Sequence, residues 1–435
     1  MKKVTNIIYK GVAGIGLLLC GFLLSCNSNK DDNDNTLLYW SSNDSREMEF
    51  SRLVTSAWNE EHPDEPVSVQ PVPEGQSSEE IILAAVVGKT TPDIYANMWQ
   101  GDVEFFANAG VLVPFDTLDG FLEFIYQRCD SAMIKDITSD DGHIYQIPWK
   151  INPIMMIYNK KLIEEVGGVP RTYSEFFEAA EKFKKDNNGD GYIDQWLGYT
   201  DVRPIWHELR FNFYLLYLAA SGGAPLVENN QAVFNNEAAL KAFGFFREVY
   251  EQSYFSRERL SSGQDPFVTG KIATKFTGPW EIAHLNKFKT DDMEYAFAPV
   301  PVPDDHEGPV YTYGDPKNIV IFDTCKNPAL AWRFLKTVIS EESDLAFLKL
   351  SSQIPPRKDL TTNPKFIEAF KQNEKLEPFA EQARYIRGVD NNEVIKEVFD
   401  IITQEYQASV IYGVKTPEEA LENAEKAVNV LFLNN

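Results

Sequence analysis

The chain has 435 residues, 43% of them apolar and 13% aromatic, which excludes a disordered polypeptide and suits two hydrophobic cores better than one. Its formal net charge of −24 excludes nucleic acid and anionic membrane surfaces as partners, since both recruit clustered Lys and Arg. A neutral or cationic ligand fits that balance.

In chain order, Lys2, Lys3 and Lys10 precede an apolar run from Gly11 to Leu24 that is too short to span a bilayer. It reads as the core of a signal peptide covering residues 1–25. The small Ser25 before Cys26, with a leucine three positions ahead, resembles the lipobox of bacterial lipoproteins. On that reading Cys26 carries lipid and 26–36 is a polar tether. An ordinary secretory leader is the alternative. Cys129 and Cys325 remain beyond the leader, and their spacing does not say whether they pair.

From Leu37 the pattern alternates strand and helix. LLYW at 37–40 is a strand, and Asp44 with Glu47 three residues on forms a capping box that opens a helix over Phe50, Leu53, Val54 and Trp58. Val67–Val72 alternates as a second strand, SSEEIILAAVVG is a second helix, PDIYANM a third strand, and Asp102–Ala109 a third helix. That order spells an α/β unit with a mainly parallel sheet. A new set of elements begins near Tyr145 with IPW (147–149), IMMIYNK and a helix from Ser174 to Lys185. Aromatic-rich helices follow at 211–220 and 240–250.

Catalytic constellations are missing. Gly88-Lys89-Thr90 lacks the first glycine of a phosphate loop because Leu83 stands there, and His207-Glu208 lacks the second histidine of a metalloprotease helix because Phe211 stands there. Carboxylate pairs suited to glycoside hydrolysis remain open among 65 acids.

The segment DNNGDGYIDQWL places oxygen ligands at alternate positions around a tight glycine turn, as hard cations prefer: Asp186, Asn188, Asp190, the carbonyl of Tyr192, and Asp194. Position twelve is Leu197, where a sensor loop has a bidentate Glu. The reading is a structural calcium site rather than a switch; an Asn/Gly turn that binds nothing is the alternative.

Five motifs, in order, resemble the bacterial extracellular solute-binding proteins of the carbohydrate (maltose/oligosaccharide) class, receptors of ABC importers. They are WNEEHP at 58–63, the stretch 91–118, IYQIPWKINPIMMIYNKKLIEEVG at 144–167, FVTGKIATKFTGPWEI at 267–282, and the pair KNPALAWRFLKTVIS and IPPRKDL near the C-terminus. The resemblance implies a two-lobed α/β fold with the ligand in a cleft between lobes joined by hinge crossovers. The lobes would comprise 37–150 with 316–354, and 151–315 with 355–435. It implies a monomeric, non-enzymatic receptor that closes on a sugar. A secreted glycosidase and a receptor for a membrane signalling partner are the rival readings.

Sugar faces stack on aromatic rings while sugar hydroxyls need fixed polar partners. By motif position the candidates are Trp280, then Trp99, Gln100 and Asp102 after a strand's carboxyl end. Trp149 and Lys150 at the hinge mouth, Asn43 and Asp44, Tyr313 and Asp315, Trp206 and Arg357 complete the set. Trp280 also reads as a core residue, Asp102 as a helix cap, and Asp44 as the cap already invoked.

Overall fold

The computed structural model describes residues 35–73, 78–260 and 264–434. The leader, Cys26 and most of the tether lie outside that range.

The first lobe is built on a five-stranded sheet in the order β2-β1-β3-β11-β4. Strands β1 (Leu37–Ser41), β2 (Val67–Pro71) and β3 (Ile94–Trp99) run parallel, linked by the helices Ser45–Glu61 and Ser78–Gly88. Strands β4 (Ile147–Lys150) and β11 (Lys317–Ile321) close the sheet in antiparallel register. Alternation sorts the side chains onto two faces. Leu37, Tyr39, Ile94, Ala96, Ile319 and Ile321 enter one core; Trp40, Tyr95, Met98, Val320 and Phe322 enter the other. The IPW strand, expected with the second set of elements, is therefore an edge of the first sheet, because its partner β11 arrives from far downstream.

The second lobe has a three-stranded antiparallel sheet, β8-β5-β9, formed by β5 (Met155–Asn159), β8 (Thr274–Thr277) and β9 (Tyr295–Ala298). Met155 and Ile157 face a core with Phe297, Phe366 and Phe379, whereas Met156 and Ala298 face a larger helical core. That core holds the helix Tyr173–Phe183, whose start is fixed by a Thr172/Glu175 capping box, and the helices Phe213–Ser221 and Glu237–Glu251. Two short pairs complete the strands: β6 (Val227–Glu228) with β7 (Gln231–Ala232), and β10 (Thr312–Tyr313) with β12 (Ile386–Arg387).

Three segments pass between the lobes, and they are laced together. Asn152 N–H donates to Gly314 O (2.6 Å), Ile154 N–H to Tyr313 O (2.9 Å) and Ile151 N–H to Ile354 O (2.9 Å). Asn152 Nδ2 donates to Gln353 Oε1 at 2.8 Å. Beneath this belt the buried carboxylate of Glu47 accepts from Lys150 Nζ, Gln353 Nε2 and Ser42 Oγ. A charge so enclosed is tolerated because every neighbour donates to it. Cys129 and Cys325 are both buried free thiols, so the pair is not bridged.

Candidate functional site

The carboxyl end of β3 delivers Trp99 out of its own lobe and into the second. Its indole is 1% exposed and lies 4.8 Å from the Trp206 ring at 46°, on the turn Trp206–Phe211 that leads into the helix Phe213–Ser221. Arg210 sits beside both, its guanidinium carbon 4.8 Å from the Trp99 ring centre and 5.0 Å from that of Trp206. Trp99 Nε1 (3.2 Å) and Arg210 Nη1 (3.3 Å) both donate to the Tyr313 hydroxyl, which donates to Asp315 Oδ1 at 3.2 Å. Five residues from the two lobes and the second crossing thus form one bonded group.

Glycines shape this group at two places. A Cβ on Gly101 would meet the Trp99 ring at 2.4 Å, and one on Gly278 would meet the Trp280 ring at 2.2 Å. In each case an indole folds over a glycine two residues away, which is the physical content of the G-P-W motif. Trp280 is half-buried and stands 6.5 Å from Phe211, on the second-lobe side of the group.

Charges crowd the same junction. Asp102 opens the helix Gln100–Asn108; burial, and then the neighbouring Glu79, push its carboxyl up to about 7 against the pull of Lys396, Lys317 and Arg210. For Glu79 burial acts in the same upward direction, but Lys317 (3.7 Å) and Arg210 outweigh it and hold the carboxyl well below its usual range. Lys396, from the helix Ile395–Tyr406, places Nζ 5.2 Å from the Trp206 ring.

A cavity of about 510 Å³ adjoins the group at Gln100. The first lobe contributes Gln100, Asp136 and Asp140; the second contributes the β6–β7 turn with Asn229 and Asn230, and the segment 387–392. Asp390 is pushed up to about 6 by burial, although it accepts the Leu226 and Val227 N–H groups at 2.7 and 2.9 Å. The lobes touch here: Arg387 lies 3.8 Å from Asp136, and Asn391 Nδ2 donates to Thr138 O at 3.1 Å. Such a recess, lined by amides and by charged side chains of both signs, suits a hydroxyl-bearing solute.

Of the residues singled out from sequence, Trp99, Gln100, Asp102, Trp206, Tyr313 and Asp315 come together, with Trp280 at the margin. Trp149 does not: it is 1% exposed in the first-lobe core and stacks on Phe347 at 4.8 Å. Lys150 is committed to Glu47 in the hinge. Arg357 lies among Asp344, Asp359 and Glu341, at 3.1, 2.9 and 3.8 Å. Asp44 Oδ1 accepts the Arg46 and Glu47 N–H groups, so a simple cap describes it, and Asn43 is exposed beside it. The expected capping box does not close, because the Glu47 carboxylate turns to Lys150, Gln353 and Ser42 and the Asp44 N–H goes to Ser42 Oγ. Arg210, Lys396, Glu79, Lys317 and Asp390 were missed. Four lie on loops or helices and Lys317 at the start of β11, positions where one charge reads like any surface charge.

Residues 54–378 match the bacterial extracellular solute-binding proteins. The chain belongs to that family. The solute-binding protein is 24% identical over 342 residues to the maltotriose-binding protein of Pyrococcus abyssi, covering 75% of this chain and 69% of the relative. An uncharacterized protein of Listeria monocytogenes, lmo0859, superposes with a TM-score of 0.76 at 27% identity, over 91% of this chain and 99% of that one. The cyclic α-maltosyl-1,6-maltose-binding protein of Arthrobacter globiformis superposes with a TM-score of 0.75 at 21% identity, over 92% and 99%. The architecture is the two-lobed one of maltose-binding-type receptors. The family consists of extracytoplasmic binding proteins, not enzymes, so the glycosidase reading is set aside.

One pH response follows from the junction. Asp102 binds its proton more tightly in the folded protein than in the unfolded chain, where a carboxyl titrates at about 3.9. Its contribution is therefore fully present below that value and is lost as pH rises through about 7. Glu79, Lys396, Lys317 and Arg210 all bear on it, and Asp390 titrates in an overlapping window. Thermal midpoints measured from pH 5 to 8 for wild type and Asp102→Asn should show the variant gaining relative to wild type as pH rises. Parallel curves would refute the assignment.

Proposed function

We propose that this protein is a lipid-anchored extracytoplasmic receptor that binds an oligosaccharide between its lobes by hinge closure and delivers it, as a monomer, to an ABC importer. The observation that carries the reading is the junction itself: ring faces and an amide-lined cavity assembled from both lobes, which part when the hinge opens. The sugar-binding names of the similar proteins support the ligand class. Attachment through Cys26 rests on the leader's pattern; among the described residues no helix is long and apolar enough to cross a membrane. A thermal-shift screen of the chain from Asn27 against mono- and oligosaccharides tests the reading. A saturating ligand adds about 2.7 kcal/mol at 100 times its dissociation constant, a shift of a few degrees. No shift with any sugar would withdraw the carbohydrate assignment. Presentation of the ligand to a signalling partner is the rival use of the same closed form.

The loop 186–194 is proposed as a structural calcium staple. Its carboxylates already organise the curl: Asp186 accepts from Gly189 and Gly191 N–H, Asp190 from Tyr192 N–H, and Asp194 from Asn187 N–H, at 2.6 to 2.9 Å. Leu197, at position twelve, is buried in the second-lobe core and offers no oxygen, so solvent would complete the shell. Asp190→Ala is expected to lower the thermal midpoint in calcium by a few degrees with solute affinity nearly unchanged, and a chelator should lower the wild type alone. A chelator without effect on the wild type would leave a plain turn.

A further inference from the structure

The overall charge of −24 points to a neutral or cationic solute, yet the junction between the lobes gathers Arg210, Lys396 and Lys317. Lys317 has Glu79 beside it. Among the described residues, Arg210 and Lys396 have no carboxylate within ion-pair distance. Arg210 is 6% exposed, and a buried cation is costly unless it is paired. Its neighbours compensate only in part. The two indoles lie beside it, and its edge donates to His207 O (3.2 Å) and the Tyr313 hydroxyl (3.3 Å), both uncharged. No acceptor is found for its Nη2 among the described residues. Asp315 and Glu79 act on it from beyond ion-pair distance, Asp315 also through the Tyr313 hydroxyl.

Trp99 belongs to the first lobe, whereas Arg210, Trp206 and Lys396 belong to the second. Opening the hinge lifts Trp99 away and leaves a guanidinium and an ammonium beside a bare indole. A ring face next to two cations that no carboxylate approaches within ion-pair distance is the complement of a sugar that carries an acid.

Resting on the carbohydrate reading above, we propose that the solute is an acidic glycan, an oligosaccharide whose carboxylate or sulfate ester docks on the edge of Arg210 with Lys396 alongside. Its uncharged units run past Gln100 into the cavity lined by Asn229, Asn230 and Asn391. A planar guanidinium pairs bidentately with either anion, and charge-assisted bonds of this kind are the strong ones.

Titration calorimetry on matched pairs tests this: trigalacturonate against neutral galactotriose, and a sulfated disaccharide against its desulfated form, with maltotriose as a further neutral sugar. One acidic member should bind at least about tenfold tighter than its neutral parent, and the arm that responds identifies the anion. Arg210→Gln should abolish the preference while changing affinity for the neutral parent far less, and Arg210→Lys should restore part of it. Should Arg210→Gln fail to fold, Lys396→Gln, at a half-exposed position, should still reduce the preference. Neutral members bound as tightly as acidic ones would overturn the inference and leave the carbohydrate reading in place. Binding of no sugar would overturn both.

Discussion

Replacing Asp344 by alanine is expected to cost about 3–5 kcal/mol of stability, because it strands the buried Arg128. Arg128 grips Asp344 with Nε at 2.9 Å and Nη2 at 3.0 Å, and both side chains are almost wholly buried. Arg357 adds Nη1 at 3.1 Å. The pair fastens the helix Glu341–Ser351 to the helix Phe121–Arg128, and Arg128 Nη1 also donates to Pro148 O, on the strand that leaves for the second lobe. Removing the acid leaves Arg128 buried with only a carbonyl and a thiol beside it. Asp344→Asn keeps an acceptor and should lose less. Denaturant unfolding reads the difference directly, and a loss below about 1 kcal/mol for the alanine variant would show that Arg128 finds another partner.

The second large effect is on binding. Trp206→Ala is expected to weaken solute affinity about 30- to 100-fold, the loss typical of an aromatic anchor at the centre of an interface. Trp206 is half-buried and touches Trp99, Arg210 and Lys396, so it serves both the stacking face and the charges beside it. Trp280→Ala should cost much less, since that ring meets the group only through Phe211. Sequence reasoning ranks these two tryptophans the other way, so calorimetry on both variants decides between motif position and geometry. A loss under threefold for Trp206→Ala would remove it from the site.

The contrast shows what local pattern carries and what it does not. The first strands and helices were legible because their signals are short-range: the apolar run Leu37–Trp40, the alternation in Val67–Val72, and the Asp44 cap. Trp99 was legible because a ring after a parallel strand's end points into a cleft. Trp149 and Lys150 misled because a Trp-Lys pair in a strand reads alike at a cleft mouth and in a core. What separates the two is Phe347 and Glu47, each far away in sequence. Arg357 misled for the same reason, its acids being contributed partly by a different helix. Arg210 was invisible because its role depends on Trp99, which arrives from another lobe.

The order of strands in the first sheet has a consequence for how the molecule assembles. Strand β11 lies between β3 and β4, yet it is made only after the whole β5–β9 sheet of the other lobe. Until it arrives, β3 and β4 each present an unpaired edge, and the apolar row Ile94–Met98 has no cover on that side. The lobe that contains the earliest residues therefore stays incomplete while most of the other lobe's sheet is made. Its closure is a long-range event, of the kind that makes folding slow, and the interval before it is when the chain is most open to sticking to a second copy of itself.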